Sequence, residues 1–320
     1  MSQNNFVADI CQSAKRIDRN LQNPIGLVLS KTGISVAANR TGMVIQYDRD
    51  GCVKQNIRVV GGSPTGLVRV KGKGFPITSG NNTGHAKLIV VTSAGTIEGY
   101  NPCVLADSFV TITPTTSSTT GTPGNRNYTG ATIIKHHLYV ANHGNGSIDV
   151  YNCNWVLVRS MMDQALRNDS YHPLNVVAHH GELYVTNTFS GTLTTGMSTS
   201  ASATSSFLSN IGNGYITKYN DMCDNPIRLV SRGPLNIPYG MAIIRDQLFV
   251  SNHGDGTISI FELPQKSHRP AKYLTNVRTP EGGTIINDGI WSIVDQSETL
   301  WVVAGNQEGA HGTLAYISWQ

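Results

Sequence analysis

Charge is what this sequence has least of. Asp, Glu, Lys and Arg make up only 14% of its 320 residues, and the net charge is +4, whereas an average globular chain is about a quarter charged. No five like charges run together, so the basic stripe that neutralises phosphates is absent and nucleic acid is not an expected partner. No apolar run approaches the roughly 18 residues of a membrane-spanning helix. The start, MSQNNFVADICQSAKR, has no basic stretch leading into an apolar one, so no secretory signal is legible. G-x-S-x-G elbows, H-E-x-x-H helices and phosphate-cradling glycine loops are missing too, which makes catalysis the less favoured expectation.

Punctuation is abundant instead. The 33 Gly and 13 Pro break the chain more often than coiled coils or helical bundles tolerate. Six segments share Gly-x-[Ile/Leu/Val]-x-x-[Tyr/Phe/Ile], beginning at Gly42, Gly95, Gly146, Gly214, Gly256 and Gly312. Their third and sixth residues face opposite ways on an extended strand, as in a sheet buried on both faces. The glycine is expected to supply a positive φ in a tight hairpin. Each segment follows an apolar strand, four of which end in Asn (Asn39, Asn142, Asn187, Asn252), and each pair follows a shorter strand opened by a turn.

Reference positions Gly26, Gly66, Gly130, Asn175, Gly240 and Gly289 lie 40 to 65 residues apart, close to the length of a four-stranded propeller blade of about 40 to 50 residues. The expected architecture is all-β: one six-bladed β-propeller domain over 1–320, with four antiparallel strands per blade. Its blades fall near 23–62, 63–127, 128–170, 171–235, 236–282 and 283–320. The last repeat is one strand short, so a strand near 5–12 is expected to complete it and remove the open seam. Ser/Thr-rich insertions at 114–127 and 190–213 share one face of the ring, and a third at 71–86 points from the other.

On these residues the chain resembles the NHL-type six-bladed propellers, and more closely an uncharacterised, often exported branch of them. The matching motifs are NP-x-G at Asn23 to Gly26, LYV-x-N at Leu138 to Asn142, NHGDGTI at Asn252 to Ile258 and G-x-W-x-[IL] at Gly289 to Ile293. The resemblance implies a fold, while its motifs set turns and packing rather than chemistry. It also points to where enzymes of that superfamily (lactonases, strictosidine-synthase-like enzymes, antibiotic lyases, amidating lyases) place their ligands and acid/base residues, at the channel mouth where inner strands begin. Here those positions hold Asn23, Ser63, Tyr128, His172, Tyr239 and Asp288, with Glu281 just upstream of the last.

Two functional expectations follow. The favoured one is a non-enzymatic binding or assembly scaffold, extracellular or on a particle surface, that contacts a protein or glycan partner through the face bearing the Ser/Thr-rich loops. Its candidate binding residues are Asn142, His143, Asn187, Asn252, His253, Asn306 and His311, the Asn and His of the turns on that face, with turn histidines expected to be water-exposed. No cofactor is expected. The alternative is a metal-assisted hydrolase or lyase, lactonase-like or antibiotic-lyase-like, that uses His172, Glu281 and Asp288 with a divalent metal such as calcium. Two carboxylates are few for calcium, which usually takes six to eight oxygens.

Five cysteines complete the reading. Cys52, Cys103, Cys153 and Cys223 follow third strands and are expected as free peripheral thiols, which could join copies of the chain in an oxidising setting; Cys11 lies in the closing segment. Sequons stand at Asn39, Asn81, Asn127, Asn145 and Asn168.

Overall fold

Val44 and Tyr47, the third and sixth residues of the first repeat, show how one short pattern builds a blade. Both are buried, and they point to opposite faces of the sheet. Val44 packs with Leu67, Leu88 and Val90 of the next repeat, whereas Tyr47 packs with Val303 and Leu314 of the last. Ile148 and Tyr151, and likewise Ile258 and Phe261, divide between the clusters on either side of their own sheets. Sheets that are apolar on both faces need a neighbour on each side, and six of them meet that need by closing into a ring.

The structure, a computed structural model, describes residues 1–10, 14–116, 125–192, 211–220, 225–265 and 269–319. It is an all-β six-bladed propeller. From inside outward, blade one is Pro24–Leu29, Ile34–Ala38, Met43–Tyr47 and Val53–Arg58, and blade two is Pro64–Arg69, Leu88–Thr92, Ile97–Tyr100 and Val110–Thr111. Blade three is Tyr128–Ile134, His137–Asn142, Ser147–Asn152 and Val156–Met161; blade four is Tyr171–His179, Glu182–Phe189, Tyr215–Asn220 and Ile227–Ser231. Blade five is Pro238–Ile244, Gln247–Asn252, Ile258–Glu262 and Lys272–Asn276. Blade six is Ile290–Gln296, Thr299–Ala304 and Thr313–Ser318, completed by the N-terminal strand Ser2–Ala8. Each inner strand packs against the inner strands of both neighbouring blades, blade six on blade one included.

The closing strand pairs Ser2 with Ser318 and Ala8 with Thr313. It therefore begins earlier than expected, because it follows the whole length of its partner. Two blades gain a short outer strand in parallel pairing: Thr115–Thr116 on blade three and Arg16–Ile17 on blade six. These additions cover edges that would otherwise offer unpaired backbone groups.

The repeat glycines serve two purposes rather than the single one expected. Gly42, Gly95, Gly146 and Gly256 have φ between 65° and 78°. Gly214 and Gly312 do not, and there the reason is space: an added Cβ would lie 2.4 Å from Pro238 Cδ in one case and 2.0 Å from the Leu21 carbonyl oxygen in the other.

The hairpins between second and third strands share one side of the ring with the connections between blades. This is the loop face, and most of the two Ser/Thr-rich insertions on it lie outside the described residues. The opposite hairpin face carries the 71–86 insertion, a two-stranded hairpin (Pro76–Ser79, Asn82–His85) fixed to blade three by Trp155, whose Nε1 donates to the Pro76 carbonyl at 2.7 Å. Among the described residues no helix is long and apolar enough to cross a membrane.

Candidate functional site

The inner strands decide what the channel can do. In every blade the register between inner and second strands slips near the loop face, leaving a bulged residue. A bulge re-aims its side chain, and the re-aimed residues are Ile25, Thr65, Thr129, Leu174, Tyr239 and Trp291, all buried. Blades one and four stand on opposite sides of the axis, yet Ile25 and Leu174 share one apolar cluster with Tyr239 and Trp291. Polar bonds lock the ring. The Tyr239 hydroxyl donates to the Thr129 carbonyl at 2.6 Å, Thr65 Oγ1 to the Tyr128 carbonyl at 2.7 Å, and Trp291 Nε1 to Asn23 Oδ1 at 3.0 Å. These six side chains plug the channel at the loop face.

The Asn and His residues of the loop-face turns are largely taken up by the fold. Asn142 accepts from the backbone N–H groups of Asn127 and Asn145 and donates to Asp149 Oδ2 at 3.0 Å. Asn252 accepts from the Asn236 N–H and donates to Ser259 Oγ at 2.9 Å, Asn187 donates to Thr217 Oγ1 at 3.2 Å, and Asn306 to Thr313 Oγ1 at 3.0 Å.

Two of the histidines beside them, His143 and His253, behave as latches between blades, which corrects the expectation that they face water. His143 is buried and places Nδ1 3.2 Å from the Pro173 carbonyl of the next blade. His253 places Nδ1 3.2 Å from the Ile290 carbonyl of blade six and stacks on Trp291, with ring centroids 3.7 Å apart. Burial pushes both imidazoles down to about 4, with the neighbouring His172 adding to the effect at His143. His311 lies 2.8 Å from Asp9 Oδ2 and so holds the closing strand.

The proposed acid/base set is dispersed. His172 Nδ1 lies 2.7 Å from the His143 carbonyl at the seam of blades three and four. Exposed Asp288, in blade six, accepts from the Gln307 N–H at 2.8 Å. Glu281 is exposed; its own backbone N–H and the Thr279 hydroxyl hold its carboxyl below the usual range, and the N-terminal amine adds to this. Among the described residues no three His, Cys, Asp or Glu side chains gather as a metal would require.

Other side chains on the loop face remain available. At blade four the Arg232 guanidinium lies over two rings, 6.0 Å from the Tyr171 centroid and 5.8 Å from that of Tyr215, and its Nε donates to the Tyr215 hydroxyl at 2.9 Å. Tyr171 meets Tyr215 and Phe189 edge-on at 4.7 and 5.9 Å. Phe189 is 38% exposed and Ile211 76%. The repeat search passed over this cluster because its members belong to four different strands or turns and share no spacing; only the blade topology brings them together.

Below the plug, a cavity of about 300 Å³ is lined by the middle and far halves of the inner strands and opens at the hairpin face beside His179 and Asp295. Of the thiols, Cys52 and Cys103 are exposed and Cys153 half-buried, all free, while Cys11 and Cys223 lie outside the described residues. Among the sequon asparagines, Asn39 is buried and donates to the Pro64 carbonyl at 3.1 Å, whereas Asn81 is exposed at the tip of the 76–85 hairpin.

No family model matches the chain. Three uncharacterised proteins of Acanthamoeba polyphaga mimivirus are similar in sequence. One is 26% identical, covering 94% of this chain and 82% of the relative; another is 25% identical, covering 90% and 72%. The third, 25% identical, covers 70% of this chain but only 40% of its own length. Among solved structures, virginiamycin B lyase from Staphylococcus aureus superposes with a TM-score of 0.55 at 9% identity over 99% of both chains. A chain of a nidogen/laminin complex superposes with a TM-score of 0.51 at 12% identity over 83% of both. At these identities the solved structures speak for the fold alone: the chain is a six-bladed β-propeller with uncharacterised relatives.

Proposed function

We propose that this propeller is a non-enzymatic binding or assembly module that contacts a protein or glycan partner through its loop face. The fold does not choose between roles, since its structural neighbours include a lyase and a chain of a nidogen/laminin complex. The observation that carries the reading is the cluster of Arg232, Tyr171, Tyr215 and Phe189. An arginine held between rings on a stiff sheet loses little freedom on binding, and Arg and Tyr are the side chains that anchor interfaces. Aromatic edges beside a guanidinium suit the apolar faces and hydroxyls of a sugar as well as an acidic peptide.

The test is a glycan array probed with purified protein, together with crosslinking to partners in its native source, for the wild type and for Arg232→Ala and Phe189→Ala. Specific binding that falls by about tenfold or more in both variants supports the reading. Turnover of lactones or esters that disappears in His172→Ala, with bound divalent metal, overturns it in favour of the hydrolase or lyase.

A further inference from the structure

The cavity below the plug calls for a ligand on grounds independent of the loop face. Its floor is the plug itself, with Asn175 Nδ2 donating to the Tyr239 carbonyl at 3.3 Å. Its walls are the axis-facing edges of the inner strands, which have no strand partner on that side and so present backbone N–H and C=O groups inward. Half-buried Ala131, Val177, Ile243 and Val294 add apolar surface between them. Ser292 also lines it and makes no side-chain hydrogen bond to the described residues.

Charge sets the ligand's sign. Among the described residues no Lys or Arg lines the cavity, and Asp295 is its one carboxylate. Asp295 makes no ion pair among the described residues, and the basic group near its hairpin, Arg245, is bound to Glu298 at 2.7 Å. Partial burial and then the Glu298 charge push the Asp295 carboxyl above its usual range. His179, across the mouth, has its pKa lowered by burial and by His180 and does not supply a cation at neutral pH. A cavity of about 300 Å³ holds about ten waters' share of liquid volume, hence a molecule of about ten non-hydrogen atoms.

We propose that the blind channel is a binding site for a small organic amine, its ammonium at Asp295 in the mouth and its apolar body against Ala131, Val177 and Val294. This is a second site, at the opposite end of the axis from Arg232.

The experiment is isothermal titration of the full chain with 2-phenylethylamine and with its uncharged isostere 2-phenylethanol, using the wild type, Asp295→Asn and the channel-filling variant Ala131→Phe. The amine should bind saturably at millimolar concentration or below, about tenfold or more tighter than the alcohol. Asp295→Asn should bring the amine down to the level of the alcohol and leave the alcohol unchanged. Ala131→Phe should abolish binding of both; if circular dichroism shows that it does not fold, Ser292→Leu takes its place. Arg232→Ala should change neither, which separates this site from the loop face. No saturable amine binding to the wild type, or amine binding unaltered by Asp295→Asn, overturns the proposal.

Discussion

Tyr239 of blade five crosses the axis and gives its hydroxyl proton to the Thr129 carbonyl of blade three, 2.6 Å away, passing over the blade between them. Most contacts in a propeller join neighbours; this one ties non-adjacent blades. Tyr239→Phe should keep the packing and leave a buried carbonyl unpaired, at a cost of about 1–3 kcal/mol in urea unfolding. Trp291→Ala should cost about 3–5 kcal/mol because it removes a larger part of the same plug. A Tyr239→Phe protein as stable as the wild type would mean that the crossing bond contributes nothing net.

The two latch histidines make stability depend on pH. Their folded pKa values, about 4, lie below the ordinary imidazole value of 6.5, so the fold favours neutral imidazole. The unfolded chain then takes up more protons as pH falls. Stability is full above about pH 6.5 and is lost progressively toward pH 4, by on the order of 2 kcal/mol for each histidine. His253→Phe retains a ring on Trp291 and should flatten that slope between pH 7 and 4.5. An unchanged slope would assign the acid sensitivity to other groups.

Thiol chemistry checks the placement of the hairpin-face cysteines. Cys52 and Cys103 are exposed and Cys153 half-buried, so a thiol reagent should label the first two rapidly and Cys153 more slowly under native conditions. If the exposed pair joins copies of the chain, size-exclusion chromatography without reductant will show a larger species that Cys52→Ser and Cys103→Ser remove together. A monomer in both conditions rules out covalent assembly through them.

The ring was legible because its signal is periodic: Val44 with Tyr47, or Ile258 with Phe261, repeats a two-faced strand that only stacked sheets can bury. The channel was not. Of the plug residues Tyr239 stands among the expected mouth positions; Ile25, Thr65, Thr129 and Leu174 only precede the reference positions of their strands, Trp291 is the fixed aromatic of the last motif, and in a regular strand they would not face the axis. A one-residue bulge turns them inward, and bulges leave little trace in apolar spacing. The turn Asn and His residues misled for a related reason: side chains suited to binding a ligand are equally suited to bonding an exposed turn backbone, and here the backbone uses most of them. The mouth at Asp295 had no signal at all, since a single carboxylate at the end of a strand looks like any surface residue until the strands are arranged around it.

Closure of the ring rests on Asp9. Its backbone N–H donates to the Gly312 carbonyl at 3.1 Å, Oδ1 accepts from the Gly312 N–H at 3.0 Å, and Oδ2 lies 2.8 Å from His311 Nδ1. A few residues earlier, Phe6 packs edge-on to Trp301 and Tyr316, with ring centroids 5.2 and 6.3 Å away. Asp9→Ala orphans a buried N–H and should cost about 1–3 kcal/mol without changing the assembly state. Deleting residues 1–9 goes further, because it strips the outer partner from Thr313–Ser318 and leaves a bare edge beside exposed aromatic rings. Such an edge pairs with another copy. The deletion should therefore elute as dimers or larger species and melt at a lower temperature than Asp9→Ala. A deleted protein that stays monomeric and melts like the wild type would show that the N-terminal strand does not hold the ring.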